Sequence, residues 1–183
     1  MKYVKIDTQL FIKNREKFKN KQIKNTLAIF NSNDKMPTNA DGTMPFRQNN
    51  DLFWLSGVDQ EESILVLSPN HPDENLREIL FLKETNEHIA IWEGSKLTKK
   101  DAFKTSGIKT VFWLDELENK LAELISKCDS IYLNKNIHSR SASDVQTRDD
   151  RFRNMITDKY SEYANRILDD IPFVNFDETD GTF

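Results

Sequence analysis

Six short apolar runs, at 26–31, 53–55, 63–67, 78–83, 110–113 and 130–133, set the limits on what this chain can become. Each is too short for an ordinary helix and rich in β-branched or aromatic side chains, which reads as a set of buried strands. The first four follow closely on one another, so their pairing is expected to be antiparallel. The last two alternate with helical patterns, as in a sheet covered by helices. Residues 53–55 and 63–67 read as neighbouring strands placed around Gly57.

The helical segments carry their own punctuation. Asp7-Thr8 caps a helix running to about Lys21, with Phe11 and Phe18 on one face. Lys13, Arg15, Lys17, Lys19, Lys21 and Lys24 read as its solvated basic face, with charges suited to a helix C-terminus. Thr98-Lys99-Lys100-Asp101 is a capping box answered by Gly107. Asp115-Glu116 opens the clearest helix, with Leu117, Leu121, Leu124 and Ile125 aligned. A last helix is expected over 145–168, aligning Phe152, Ile156, Tyr163 and Ile167 and stopping before Pro172. The sum is an α/β fold: a mixed β-sheet with helices on both faces. Residues 1–176 form the domain, and the acidic stretch 177–183 reads as the start of a linker.

Composition closes off several kinds of function. A formal net charge of −4 argues against general nucleic-acid binding, which rests on neutralising phosphates. No apolar run is long enough to span a membrane, and the first seven residues lack the apolar core of a signal peptide. A lone cysteine, Cys128, excludes an intramolecular disulfide and fits the reducing cytoplasm. His71, His88 and His138 lie in separate segments and read as surface residues; Asp149 and Asp150 are helix neighbours that point apart. This chain alone is therefore expected to hold no metal. Ser56 lacks the Gly-x-Ser-x-Gly elbow, and Cys128, at a helix C-terminus, reads as an inert thiol. Phosphate-cradling glycine motifs are missing from the sequence.

Two motifs stand out. Phe46-Arg47-Gln48-Asn49-Asn50-Asp51-Leu52-Phe53-Trp54-Leu55-Ser56-Gly57 sets polar side chains directly against a bulky apolar run. It reads as a turn held by Asx-type hydrogen bonds, feeding a buried strand. Further on, Ile91-Trp92-Glu93-Gly94 places a large aromatic beside a glycine. Trp92 either packs beneath the helix that follows or stands exposed as an aromatic wall over a ligand.

These motifs, together with Ser63-Ile64-Leu65-Val66-Leu67, resemble the amino-terminal domain of aminopeptidase P, the Xaa-Pro aminopeptidases of the creatinase/prolidase superfamily. The similarity extends back to Phe11 and Arg15 and forward to about Leu133. It implies a mixed-sheet domain with a ribonuclease-H-like outline, attached to a metallopeptidase domain that this chain does not contain. That missing domain would hold two divalent ions, manganese by expectation, while the present chain would be inactive alone. The resemblance further implies that Trp92 reaches toward the substrate pocket of a neighbouring subunit and that Asp41 lies near the same pocket. Asp41 otherwise reads as an ordinary loop residue. Arg47, Gln48, Asn50 and Asp51, with Gly57 and Gly94, match structural positions of the motifs. Between Asp41 and Pro45 stand Gly42-Thr43-Met44, a departure without acidic or aromatic side chains. Partners by resemblance are the catalytic domain, neighbouring subunits and peptides with proline second. Related alternatives are a prolidase or creatinase domain, or a non-catalytic binding module of the same fold.

Overall fold

A computed structural model describes residues 6–135 and 145–169. The chain runs α1 (Thr8–Lys21), β1 (Thr26–Asn31), α2 (Asn50–Ser56), β2 (Ser63–Leu67), β3 (Glu78–Leu82), α3 (Glu87–Glu93), α4 (Lys99–Ser106), β4 (Thr110–Trp113), α5 (Leu117–Ile125), β5 (Ser130–Leu133), α6 (Arg148–Lys159) and β6 (Ile167–Leu168). Six strands form one sheet in the order β4-β3-β2-β1-β5-β6. β2 pairs antiparallel with both neighbours, while β3 with β4, β1 with β5, and β5 with β6 pair in parallel. The sheet is therefore mixed, as the run of close-set strands followed by helix–strand alternation implies.

Because side chains alternate across a strand, the central strands are buried on both faces and feed two cores. On one face Leu27, Ile29, Val66, Phe81 and Ile131 meet Leu121, Leu124 and Ile125 of α5 and Phe152 and Ile156 of α6. On the other, Ala28, Phe30, Leu65, Leu80 and Tyr132 meet Phe18 of α1, Leu52 and Leu55 of α2 and Ala102 of α4. Helices thus cover both faces.

Three expectations fail. Residues 53–55 are helical, not a strand: α2 is capped by Asn49, whose side chain accepts from the Asp51 and Leu52 amides, and it ends at Gly57 with φ +68°. Leu52, Leu55 and Ser56 are its buried residues, the spacing of a helix rather than of a strand. The last helix stops at Lys159, followed by a 3₁₀ stretch, Ser161–Arg166, and then β6. Ile167 consequently pairs with Ile131 in the sheet instead of aligning with Phe152. Arg15, read as solvated, is 1% exposed. Pro172 and the acidic tail lie outside the described residues.

Arg15 is buried because it bridges three elements. Its Nε donates to Glu78 Oε2 at 2.9 Å, and its Nη1 donates to the Leu55 carbonyl at 2.8 Å. Lys19 Nζ adds a bond to Glu78 Oε1 at 2.5 Å. Burial pushes the Glu78 carboxyl up, but Arg15 and Lys19 outweigh it and hold the group below the usual glutamate value. The stability this contributes is fully present above the unfolded-state pKa and is lost as pH falls through the lower native one.

Arg15→Ala removes the bridge and leaves Glu78 and the Leu55 carbonyl short of a donor. Urea denaturation is expected to show a loss of about 3 to 5 kcal/mol, the cost of breaking a buried pair from one side. In wild type, acidification below about pH 4.5 should erode stability, and the Glu78→Gln protein should lose less over that range.

Candidate functional site

The 46–57 block is fastened from both ends. Gln48 Nε2 donates to the carbonyls of Val58 at 3.0 Å and Gln60 at 2.8 Å, while its Oε1 accepts from the Asn49 amide at 2.8 Å. Asn49 then caps α2. At the far end a Cβ on Gly57 would stand 2.3 Å from the Phe11 ring, so glycine is needed there for closeness as well as for φ. Asn14 of α1 donates to the Trp54 carbonyl at 2.8 Å. Arg47 is exposed, and its carbonyl accepts from Asn33 Nδ2 at 3.1 Å. Asn50 is exposed in the first turn of α2. Asp51, half-buried, accepts from Asn134.

Trp92 sits on a helix that the sequence reading did not foresee. α3 is capped by Asn86 and closed by Gly94 at φ +82°, and it has no buried residue. Trp92 is 81% exposed and Ile91 74%. The alternative in which the indole packs beneath the following helix is overturned. Trp92 borders a concavity of about 450 Å³ whose walls include Glu61, Lys83, Glu93, Lys96 and Arg148. Four of these charges are paired: Lys96 with Glu61 at 2.6 Å, and Lys83 with Glu93 at 2.9 Å. Burial works against ionisation of Glu61, yet Lys96 prevails and holds that carboxyl below its ordinary value. Asp41 lies exposed in the loop after β1, near the Pro37–Thr43 bridge, and does not line this concavity.

A second cluster escaped the sequence reading altogether. Asn31 at the end of β1 donates to Asp149 Oδ1 at 3.0 Å. Asn134, just past β5, donates to Asp149 Oδ2 at 3.1 Å and to Asp51 Oδ2 at 3.3 Å. Burial pushes the Asp149 carboxyl up to about 6; the two amides oppose this, and the neighbouring Asp51 and Asp150 charges reinforce it. Burial raises Asp51 as well, against the pull of its bond from Asn134. Asp150 faces away, bonded to the Thr147 hydroxyl and amide, so the expected divergence of the two adjacent aspartates holds. The residues come from four separate segments with no common spacing, which is why sequence alone gave no sign of them.

His71 corrects another expectation: it is 4% exposed and bonded to Asp73 backbone, not a surface residue. His88 is exposed, and His138 lies outside the described residues. Cys128 is buried, and burial foremost, with Asp129 beside it, pushes its thiol up to about 11. Among the described residues no three His, Cys, Asp or Glu converge on a common point. No helix among them is long and apolar enough to cross a membrane.

Residues 11–132 match the family model described as the aminopeptidase P N-terminal domain, two thirds of the chain. The chain belongs to that family. The Xaa-Pro aminopeptidase of Escherichia coli strain K12 is 24% identical over 127 residues, covering 69% of this chain but 29% of its own length. Among solved structures, a Bacillus anthracis protein assigned as an aminopeptidase P superposes with a TM-score of 0.77 at 21% identity, over 91% of this chain and 39% of that one. Zinc-substituted E. coli aminopeptidase P, solved with product, gives 0.70 at 21% over 91% and 37%. The chain thus spans less than half the length of each of these relatives.

The capping role of Asn49 in this aminopeptidase P domain is open to direct test. Asn49→Ala should cost about 1 kcal/mol in urea denaturation, whereas Asn49→Ser should stay close to wild type. Equal losses in both would assign the effect to something other than the cap.

Proposed function

We infer that this chain is the non-catalytic amino-terminal domain of a Xaa-Pro aminopeptidase, a hydrolase that removes the residue preceding a proline. Its part is to provide subunit contacts and an aromatic wall for the active site of a neighbouring subunit. The observation carrying this reading is the exposure of Trp92: a large indole held in water on a short, doubly capped helix has no packing role in its own domain. Ile91 beside it is likewise exposed, so the helix presents two adjacent apolar side chains to solvent, and contiguous apolar surface of this kind is what partners cover. A flat aromatic face suits a proline ring, against which it gains contact area without needing a hydrogen bond.

In this reading Asp41 contributes from the exposed loop after β1, at another edge of the shared pocket than Trp92, whose concavity it does not line. Arg47, Gln48, Asn50 and Asp51 act structurally, holding α2 and its preceding loop. The hydrolytic step belongs to a further domain carrying two divalent ions, manganese being the expected metal, which supply an activated water when bound. Residues 177–183 begin the link to that domain, 1–176 form the present one, and the enzyme works in the cytoplasm on peptides whose second residue is proline. The family membership and the length of the relatives support this reading.

Two measurements test it. The 183-residue chain, purified and supplied with manganese, should release no amino acid from Xaa-Pro peptides. In the protein carrying the metallopeptidase domain, Trp92→Ala should lower kcat/KM on Xaa-Pro tripeptides by about tenfold or more, the effect of losing one buried aromatic contact. Unchanged kinetics in that variant would remove Trp92 from the pocket.

A further inference from the structure

We propose that Asp51 and Asp149, with the side-chain oxygen of Asn31, form a binding site for one oxygen-liganded divalent cation of the magnesium, manganese or calcium class. The site would lie within this domain and be separate from any catalytic metals. It rests on the cluster itself and not on the functional reading above.

The position is where an open α/β sheet offers a crevice. β1 and β5 are parallel neighbours, and the chain leaves them toward opposite edges of the sheet, from β1 to β2 and from β5 to β6. Ligands collect outside the carboxyl ends of strands at such a divergence. Asn31 ends β1, Asn134 follows β5, and Asp51 and Asp149 stand in the first turns of α2 and α6, so all four meet at that point. The residues flanking them, Asn33, Asp34 and Arg148, line the 450 Å³ concavity, which gives an ion a route from solvent.

The chemistry is left incomplete by the protein's own atoms. Two carboxylates lie within hydrogen-bond reach of a single amide nitrogen, Asn134 Nδ2. Neither enters an ion pair among the described residues; two arginines of α6 are engaged elsewhere, Arg151 with Asp34 and Arg153 with Asp169 and the Leu133 carbonyl. Independently, Asn31 is 2% exposed, and its Oδ1, on the amide that touches Asp149, has no hydrogen-bond partner. A buried acceptor left without a donor is costly, and this one belongs to the amide whose nitrogen already serves Asp149. A cation satisfies all three groups at once. Turning the Asn134 amide over would present its oxygen as a fourth ligand, an exchange of nearly isosteric atoms. The set is all oxygen, with two charges and neutral amides, which fits hard cations and does not fit zinc.

The test uses the 183-residue chain, stripped with chelator and titrated separately with magnesium, calcium and manganese chloride, followed by calorimetry and, for manganese, by loss of the free-ion paramagnetic signal. One ion should bind per chain with a dissociation constant below about 1 mM, and Asp51→Asn and Asp149→Asn should each weaken it by about tenfold or more. Asn31→Asp, which adds a charged ligand, should tighten binding and show a larger ion-dependent rise in Tm than wild type. Absence of binding at about 10 mM of every ion would overturn the proposal, as would binding that all three substitutions leave alone. Should Asp149→Asn fail to fold by circular dichroism, Asn31→Asp decides alone: a Tm that the ions do not raise above the wild-type response rejects the site.

Discussion

The buried guanidinium of Arg15 holds the two layers of one face to the sheet. It takes the terminal carbonyl region of α2 and the leading edge of β3 into one hydrogen-bonded unit, and α1 brings Phe11 against Gly57 at the same junction. A lysine could supply the charge but not the fork that serves two acceptors at once. Arg15 ties down the end of the polar-to-apolar block between 46 and 57, and separate contacts hold the rest of it. The loop before α2 is fixed by Gln48, the helix by Asn49, and its exit by a glycine, since the Phe11 ring leaves no room there for a side chain.

Much of this was legible. The strands near 26–31, 63–67, 78–83, 110–113 and 130–133, the caps at Asp7 and Thr98, and the glycine stop at 107 all carry local signals, and the structure places each of them where those signals point. The one strand misread, at 53–55, shows the weak spot of periodicity. Four consecutive bulky residues satisfy a helix face and a buried strand equally well over so short a span. The decisive information was the pair of punctuating residues: an Asx cap followed eight positions later by a left-handed glycine defines a helix of two turns. The overlong final helix has a different cause. Tyr163 and Ile167 keep the helical spacing, but Ile167 gains a place beside β5, and tertiary pairing overrides local preference.

Charged and polar residues were the least legible. Arg15 looked like its lysine neighbours because nothing local announces that Glu78 lies opposite. His71 looked exposed because a Pro-flanked turn ordinarily is. The cluster of Asn31, Asp51, Asn134 and Asp149 is assembled from positions scattered over more than a hundred residues, so only the closed sheet reveals it. Trp92 was legible as an unusual residue with burial and exposure both open, and the structure decides for exposure on a helix that buries none of its residues.

That last feature has a thermodynamic side. α3 has seven residues and buries none of them, so it is held by Asn86, by Gly94 and by the pairing of Glu93 with Lys83. An isolated helix of that length is far below what sustains itself in water. Unwinding it exposes little additional apolar surface, and the two cores beneath lose almost nothing. The indole is therefore carried on a weakly anchored turn, and local melting there would change its reach while the sheet stays as it is.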